Sequence, residues 1–177
     1  AYVDAHSQEL RVSAGAAAEH LAATGAVQRD EYDATEGLET LIAGGTNHDW
    51  AKMVLLFAGY PMTEENVTVI TRWMRQENYV DTWWNRNNPL NNGWNCGGGG
   101  GTGTCPSLVA SARNAADALN SFRGYAGIRA AFLDGTSTTA VEAAIWASPW
   151  ASGHYNNGAH WHYNPVPVVK APASAWG

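Results

Sequence analysis

At 177 residues, with 45% apolar and 15% charged side chains, the chain has the length of one domain and enough apolar material to bury a core, which excludes a disordered linker. Its formal charge of −6, from 10 Lys+Arg against 16 Asp+Glu, argues against a nucleic-acid partner, because phosphate recognition needs a cationic surface. No stretch approaches the roughly 18 consecutive apolar residues of a helical membrane span, so no membrane partner is expected, and a start carrying Asp4, His6 and Glu9 does not read as a signal peptide.

The charge is uneven. Residues 1–45 hold Arg11 and Arg29 against Asp4, Glu9, Glu19, Asp30, Glu31, Asp33, Glu36 and Glu39, so the whole of the −6 lies there and the rest of the chain balances. That step, with Gly44-Gly45 at its end, predicts an acidic leader over 1–45. Leu10, Ala14, Ala17, Ala18 and Leu21 recur at helical spacing and predict a helix running to about Ala23, with a short second one around Leu38 to Ile42.

A series of helices follows. Trp50, Met53, Val54 and Phe57 form the stripe of a helix that Asn47 and Asp49 can cap and that Gly59 and Pro61 end. A second begins after Thr63, with Glu64 and Glu65 in its first turn and Val67, Ile70 and Met74 facing inward. Further helices are predicted from Leu108, Ala112, Ala116 and Leu119; from Tyr125, Ile128 and Phe132, ended at Asp134-Gly135; and from Val141, Ala144 and Ile145, ended by Pro149. No alternating β run exceeds a few residues, so the fold class is mainly α, with long loops carrying the unusual chemistry. The tail over 158–177, with Pro165, Pro167 and Pro172, reads as an extended arm.

Glu77 is the most informative residue. Seven steps of about 100° from Ile70 bring it within roughly 20° of the same direction, so it continues an apolar stripe. Burial beside Trp73, Tyr79, Trp83 and Trp84 would raise a carboxyl pKa and keep the group protonated, as a general acid should be. The plain alternative is a solvated helix end, or a pair with Arg72 or Arg75. Asp81 would share the face of Glu77 if the helix continued, which makes it a second catalytic group, a helix-end cap or a partner of Arg86. Glu142 fits a capping box in Thr139-Ala140-Val141-Glu142.

Between Cys96 and Cys105 lies a run holding six of the 19 glycines. A phosphate loop is excluded by the lack of a neighbouring lysine, since only Lys52 and Lys170 exist. Two cysteines at the ends of such a loop read as a disulfide, hence an oxidising destination, against free thiols or half of a zinc site. The loop is expected to form a flexible rim of a cleft. His154, His160 and His162 together offer the three nitrogens of a catalytic zinc, as in an amidase or peptidase, or else they and their aromatic neighbours pack the chain end or line the cleft.

The order of short motifs adds a further expectation. Trp50-Ala51 with Leu55-Leu56, Gly59-Tyr60-Pro61-Met62-Thr63, Trp73-Met74-Arg75-Gln76-Glu77, Asn88-Pro89-Leu90-Asn91, Tyr125-Ala126-Gly127-Ile128 and Ser148-Pro149-Trp150 with Gly153-His154-Tyr155 stand in sequence. Over 47–157 this resembles the lysozyme-like domain of phage endolysins and virion-associated lysins of actinobacterial phages, distantly similar to goose-type lysozymes and lytic transglycosylases. The resemblance implies a catalytic domain over 46–157 that cleaves the glycan strands of bacterial peptidoglycan, with Glu77 as the acid and an asparagine-rich segment along the cleft. It implies no metal or organic cofactor, and a place on the virion or at the cell wall, outside the cell or in the periplasm. Asn88 and Asn91 are then expected to shape the sugar site, and Trp84, Trp94, Trp150 and Tyr155 to offer stacking surfaces. Two alternatives remain open: a virion structural protein that keeps the scaffold and binds peptidoglycan or other virion proteins without cutting, and the zinc enzyme of the histidine cluster.

Overall fold

In a computed structural model of the protein, residues 37–97, 103–151 and 153–177 are described. The chain divides into two compact units, Ala1–Leu38 and Glu39–Gly177. The predicted leader helix to Ala23 and the glycines of the loop interior lie outside the described residues. Residues 37–44 are helical, as the Leu38–Ile42 pattern predicts.

Five longer helices follow: α1 Asn47–Ala58, α2 Glu64–Glu77, α3 Leu108–Ser121, α4 Ala126–Asp134 and α5 Thr138–Trp146. Among the described residues there is no strand, only an isolated bridge between Thr46 and Lys170, and no helix long and apolar enough to cross a membrane. The chain is mainly α-helical, as its periodicity predicts.

The caps follow local chemistry, with one displacement. Thr46, not Asn47 or Asp49, caps α1: its hydroxyl accepts from the Asp49 amide at 3.1 Å while Asp49 accepts the Thr46 N–H at 3.0 Å. Thr63 caps α2 through the Asn66 amide and also donates to the Gly135 carbonyl, tying the start of α2 to the end of α4. Gly59 and Gly135 end α1 and α4 at φ of 72° and 64°, where a side chain would be strained.

The core lies where α1 meets α2 and α3, and α5 meets α2 and α4. Trp50 is fully buried, and its indole N–H donates to the Leu108 carbonyl at 2.9 Å, so the largest apolar side chain of α1 leaves no orphan donor. Val69, Ile70, Trp73 and Met74 carry α2 into the same core.

Asn47, freed from capping, anchors the chain end. Its side chain donates to the Pro167 carbonyl and accepts the Val169 amide, and its own N–H donates to Val169. The Ala171 amide reaches the Gly45 carbonyl, and Trp83 donates to Val169 from its indole. The proline-spaced tail has no helix or strand over 161–172 beyond the isolated bridge at Lys170, and it is pinned along the start of α1. It ends in a helical turn, Ala173–Ala175, and in buried Trp176, which meets Trp83 edge-on at 6.2 Å.

Candidate active site

Glu77 is the last residue of α2 and is half-buried. The helix stops there because Asn78 turns extended and spends its side-chain amide on the Pro89 carbonyl at 2.8 Å. The chain then runs through single helical turns at Val80–Thr82 and Asn85–Asn87 and returns beneath the helix end.

That return brings Asn91 onto Glu77. The Asn91 Nδ2 donates to the Glu77 main-chain carbonyl at 3.1 Å, one of the carbonyls that a helix end leaves without a partner, and to carboxylate Oε2 at 3.0 Å. Asn91 holds φ at 47°, a left-handed conformation that asparagine tolerates better than most residues. Its own carbonyl oxygen, Oδ1, accepts from Arg86 Nη2 at 2.6 Å. Arg86 is left-handed too, at φ 56°, and its main-chain carbonyl accepts the Cys105 amide at 3.0 Å.

On the other side, the Tyr155 hydroxyl donates to Glu77 Oε1, and Trp73 donates to the Tyr155 oxygen at 3.0 Å. Tyr155 is 1% exposed. Burial, followed by the negative charge of Glu77 and their hydrogen bond, pushes its phenol well above the ordinary tyrosine range, so it stays a proton-bearing donor. Both carboxylate oxygens of Glu77 thus carry a donor. These donors offset the partial negative charge that a helix C-terminus presents.

Glu77 lines an open depression of about 470 Å³ together with Arg75, Gln76, Asn78, Tyr79, Thr82, Asn85 and Arg86. A second depression of about 500 Å³ shares Thr82, Asn85 and Arg86 with the first and adds Trp84, Asn87, Pro172, Ser174 and Ala175. Among the described residues that line the two, Glu77 is the only carboxylate.

Several expected site residues fall elsewhere. Asp81 is exposed on the turn after α2 and lines neither depression, because the helix that would have put it beside Glu77 has ended. Asn88 is buried and serves the loop itself: it donates to the Asn92 and Gly103 carbonyls and accepts the Asn92 amide, which leaves no face for a sugar. Tyr155 is buried and holds Glu77, so it is not a stacking surface. Trp83 is core, whereas Tyr79, expected as apolar cover for Glu77, is exposed in the depression under the Arg75 guanidinium at 5.7 Å. Trp84 lines the second depression. Trp94 is exposed but lines neither, and Trp150 packs edge-on against Trp73 at 4.6 Å and also lines neither.

Glu142 departs from its expected capping role. Ser137 caps α5 through the Ala140 amide, and Glu142, buried on that helix, pairs with Arg72 at 2.8 Å and accepts the Trp161 indole N–H at 3.0 Å. Trp161 in turn meets Trp146 and Tyr155 edge-on, so the aromatic run packs the chain end onto the helices. His160 and His162 are exposed, His154 lies against Tyr155, and no three His, Cys, Asp or Glu side chains among the described residues are placed to hold a metal ion. Cys96 and Cys105 form the expected disulfide.

Fold and site together define a mainly helical protein with one carboxylate held by two donors beside an open polar groove. No described protein family, curated protein or solved structure matches the chain.

Proposed function

We propose that this protein is a lysozyme-like lysin that cleaves the glycan strands of bacterial peptidoglycan, with Glu77 as general acid. One observation carries the reading: Glu77 ends its helix with both carboxylate oxygens positioned by donors, and it lines an open depression of about 470 Å³. The motif order over 47–157 supports the same substrate, and the disulfide suits an oxidising site of action such as the cell wall or a virion surface.

In its acid form, with one carboxyl oxygen carrying a proton in place of or beside its present donor, Glu77 gives that proton to the glycosidic oxygen as the bond to the anomeric carbon breaks. A hydrolase of the usual kind needs a second carboxylate. With Glu77 alone among the described lining residues, the single-carboxylate route is favoured: the carboxylate takes the proton of the sugar's own 6-hydroxyl, whose oxygen closes on the anomeric carbon and leaves a 1,6-anhydro end without consuming water. No metal or organic cofactor takes part.

The test is Glu77→Gln on purified cell walls. Loss of about 10²- to 10⁴-fold in wall clearing, the usual worth of a positioned general acid, is the expected result. Equal activity in both proteins overturns the role of Glu77, and no clearing by either supports a non-catalytic, wall-binding virion protein. Mass spectrometry of the released fragments separates anhydro from reducing ends.

A further inference from the structure

The second depression is not needed for proton transfer at Glu77, yet it continues the groove. It shares Thr82, Asn85 and Arg86 with the first, so the two meet along one strip of chain. Its opposite wall is the C-terminal segment, through Pro172 and Ser174, more than 80 residues away in sequence. That wall is fixed in place. The tail is tied to Asn47 and Gly45 by backbone and side-chain hydrogen bonds, and buried Trp176 braces Trp83, which stands edge-on to Trp84 at 5.9 Å.

The lining is chemically mixed in a particular way. Trp84 is half-buried and lines the depression beside Asn85, Arg86, exposed Ser174 and Asn87, whose side-chain nitrogen donates to the Cys105 and Pro106 carbonyls and whose side-chain oxygen can accept. An indole set among amides, hydroxyls and the Arg86 guanidinium suits a sugar ring, whose C–H face can cover apolar surface while its hydroxyls and acetamido group meet the polar groups.

We propose that this second depression is a saccharide-binding subsite built jointly by Trp84 and the C-terminal arm, so that the protein selects long glycan strands over short ones. The proposal rests on the reading of the Glu77 groove as a glycan site, and it makes the tail part of the binding surface.

The experiment uses the full chain carrying Glu77→Gln, which leaves the strand intact, and measures binding of peptide-free β-1,4-linked GlcNAc–MurNAc strands of two and of four repeats by calorimetry. The four-repeat strand is expected to bind about tenfold tighter than the two-repeat strand, a difference of about 1.4 kcal/mol. Adding Trp84→Ala is expected to erase that difference. Because Trp84 also touches Trp83, Ser174→Leu is the second variant: it adds bulk at an exposed tail position and blocks the depression without touching the core, and it is expected to erase the difference as well. Equal affinity for the two strands, or length selectivity that survives Ser174→Leu, overturns the subsite, as does failure of either strand to bind. Length-selective binding by a wild-type chain that cuts neither strand upholds the subsite and overturns the catalytic reading of Glu77 alone.

Discussion

Asn91 grips Glu77 at two points, the main-chain carbonyl and the carboxylate, with a single side-chain nitrogen at 3.1 and 3.0 Å. The helix end and the reacting group are thereby fixed to the same atom, and a shift of the asparagine loop moves both. Replacing Asn91 separates positioning from stability. Asn91→Gly keeps the left-handed backbone, at φ 47°, and removes the grip together with the acceptor of the Arg86 guanidinium; wall-clearing activity is expected to fall about 10- to 100-fold with little change in the denaturant midpoint. Asn91→Ala is expected to lose the same activity and a further ~1 kcal/mol of stability, since alanine resists that conformation. Unchanged activity in the glycine variant would show that Glu77 needs no such support.

Tyr155 holds the other carboxylate oxygen, and its proton makes the fold sensitive to alkali. Its folded pKa is raised above the ordinary 10.0 by burial first, and by Glu77 second. In the unfolded chain the phenol ionises near 10, whereas in the folded protein it keeps its proton. The stability it contributes is therefore fully present below about pH 10 and is lost as pH rises beyond that value. Tyr60 and Tyr125, also raised by burial, add to the same slope. Urea unfolding between pH 8 and 11 is expected to show stability declining above pH 10, and Tyr155→Phe is expected to make the decline shallower. At pH 7 the same variant is expected to cost about 1–2 kcal/mol, because the Trp73 indole N–H loses its buried acceptor. A decline as steep in the variant as in the wild type would remove Tyr155 from the account.

Much of this was legible in the chain, for identifiable reasons. The helices are visible because their stripes repeat at 3.6 residues and because Thr63, Gly59 and Gly135 punctuate them locally. Glu77 stands out by the same periodicity, and Asn91 by the resemblance of its segment. What the sequence hides is whatever depends on distant partners. Tyr155 reads as a surface aromatic because its acceptor lies 78 residues away. Asp81 reads as a helical neighbour of Glu77 because the end of α2 is set by the Asn78 bond to Pro89, which no cap motif announces. Glu142 mimics a capping box because Thr139 stands three residues before it, whereas Ser137 begins the helix and Arg72 supplies the partner. Arg86 and Ser174 carry no local signal for a groove; only the folded tail brings them to the same depression.

Glu142 and Arg72 provide a control, a buried ion pair outside the proposed chemistry. Glu142 lines neither depression, and its side chain is 3% exposed against 17% for Arg72. Glu142→Ala leaves the Arg72 charge largely buried and the Trp161 N–H without its acceptor, so it is expected to lower stability by about 3 kcal/mol in thermal or denaturant unfolding. Activity per folded molecule is expected to stay at the wild-type level. A folded Glu142→Gln protein that no longer clears walls would move Glu142 into the catalytic apparatus.

The disulfide links stability to the geometry of the site. Cys96 and Cys105 close a loop of sequence separation 9, and on a chain-entropy basis such a closure contributes about 2–3 kcal/mol. Its second effect runs through the backbone. The Cys105 amide donates to the Arg86 carbonyl, the Arg86 guanidinium holds Asn91, and Asn91 holds Glu77. Asn88 bonds the Gly103 carbonyl on the same loop, so a slackened loop loosens the asparagine segment at two places. A Cys96→Ser, Cys105→Ser double variant is expected to unfold at lower denaturant and, while still folded, to clear walls several-fold more slowly. The wild type treated with a thiol reductant is expected to behave alike. Loss of stability with full activity would confine the disulfide to the fold and sever it from the positioning of Glu77.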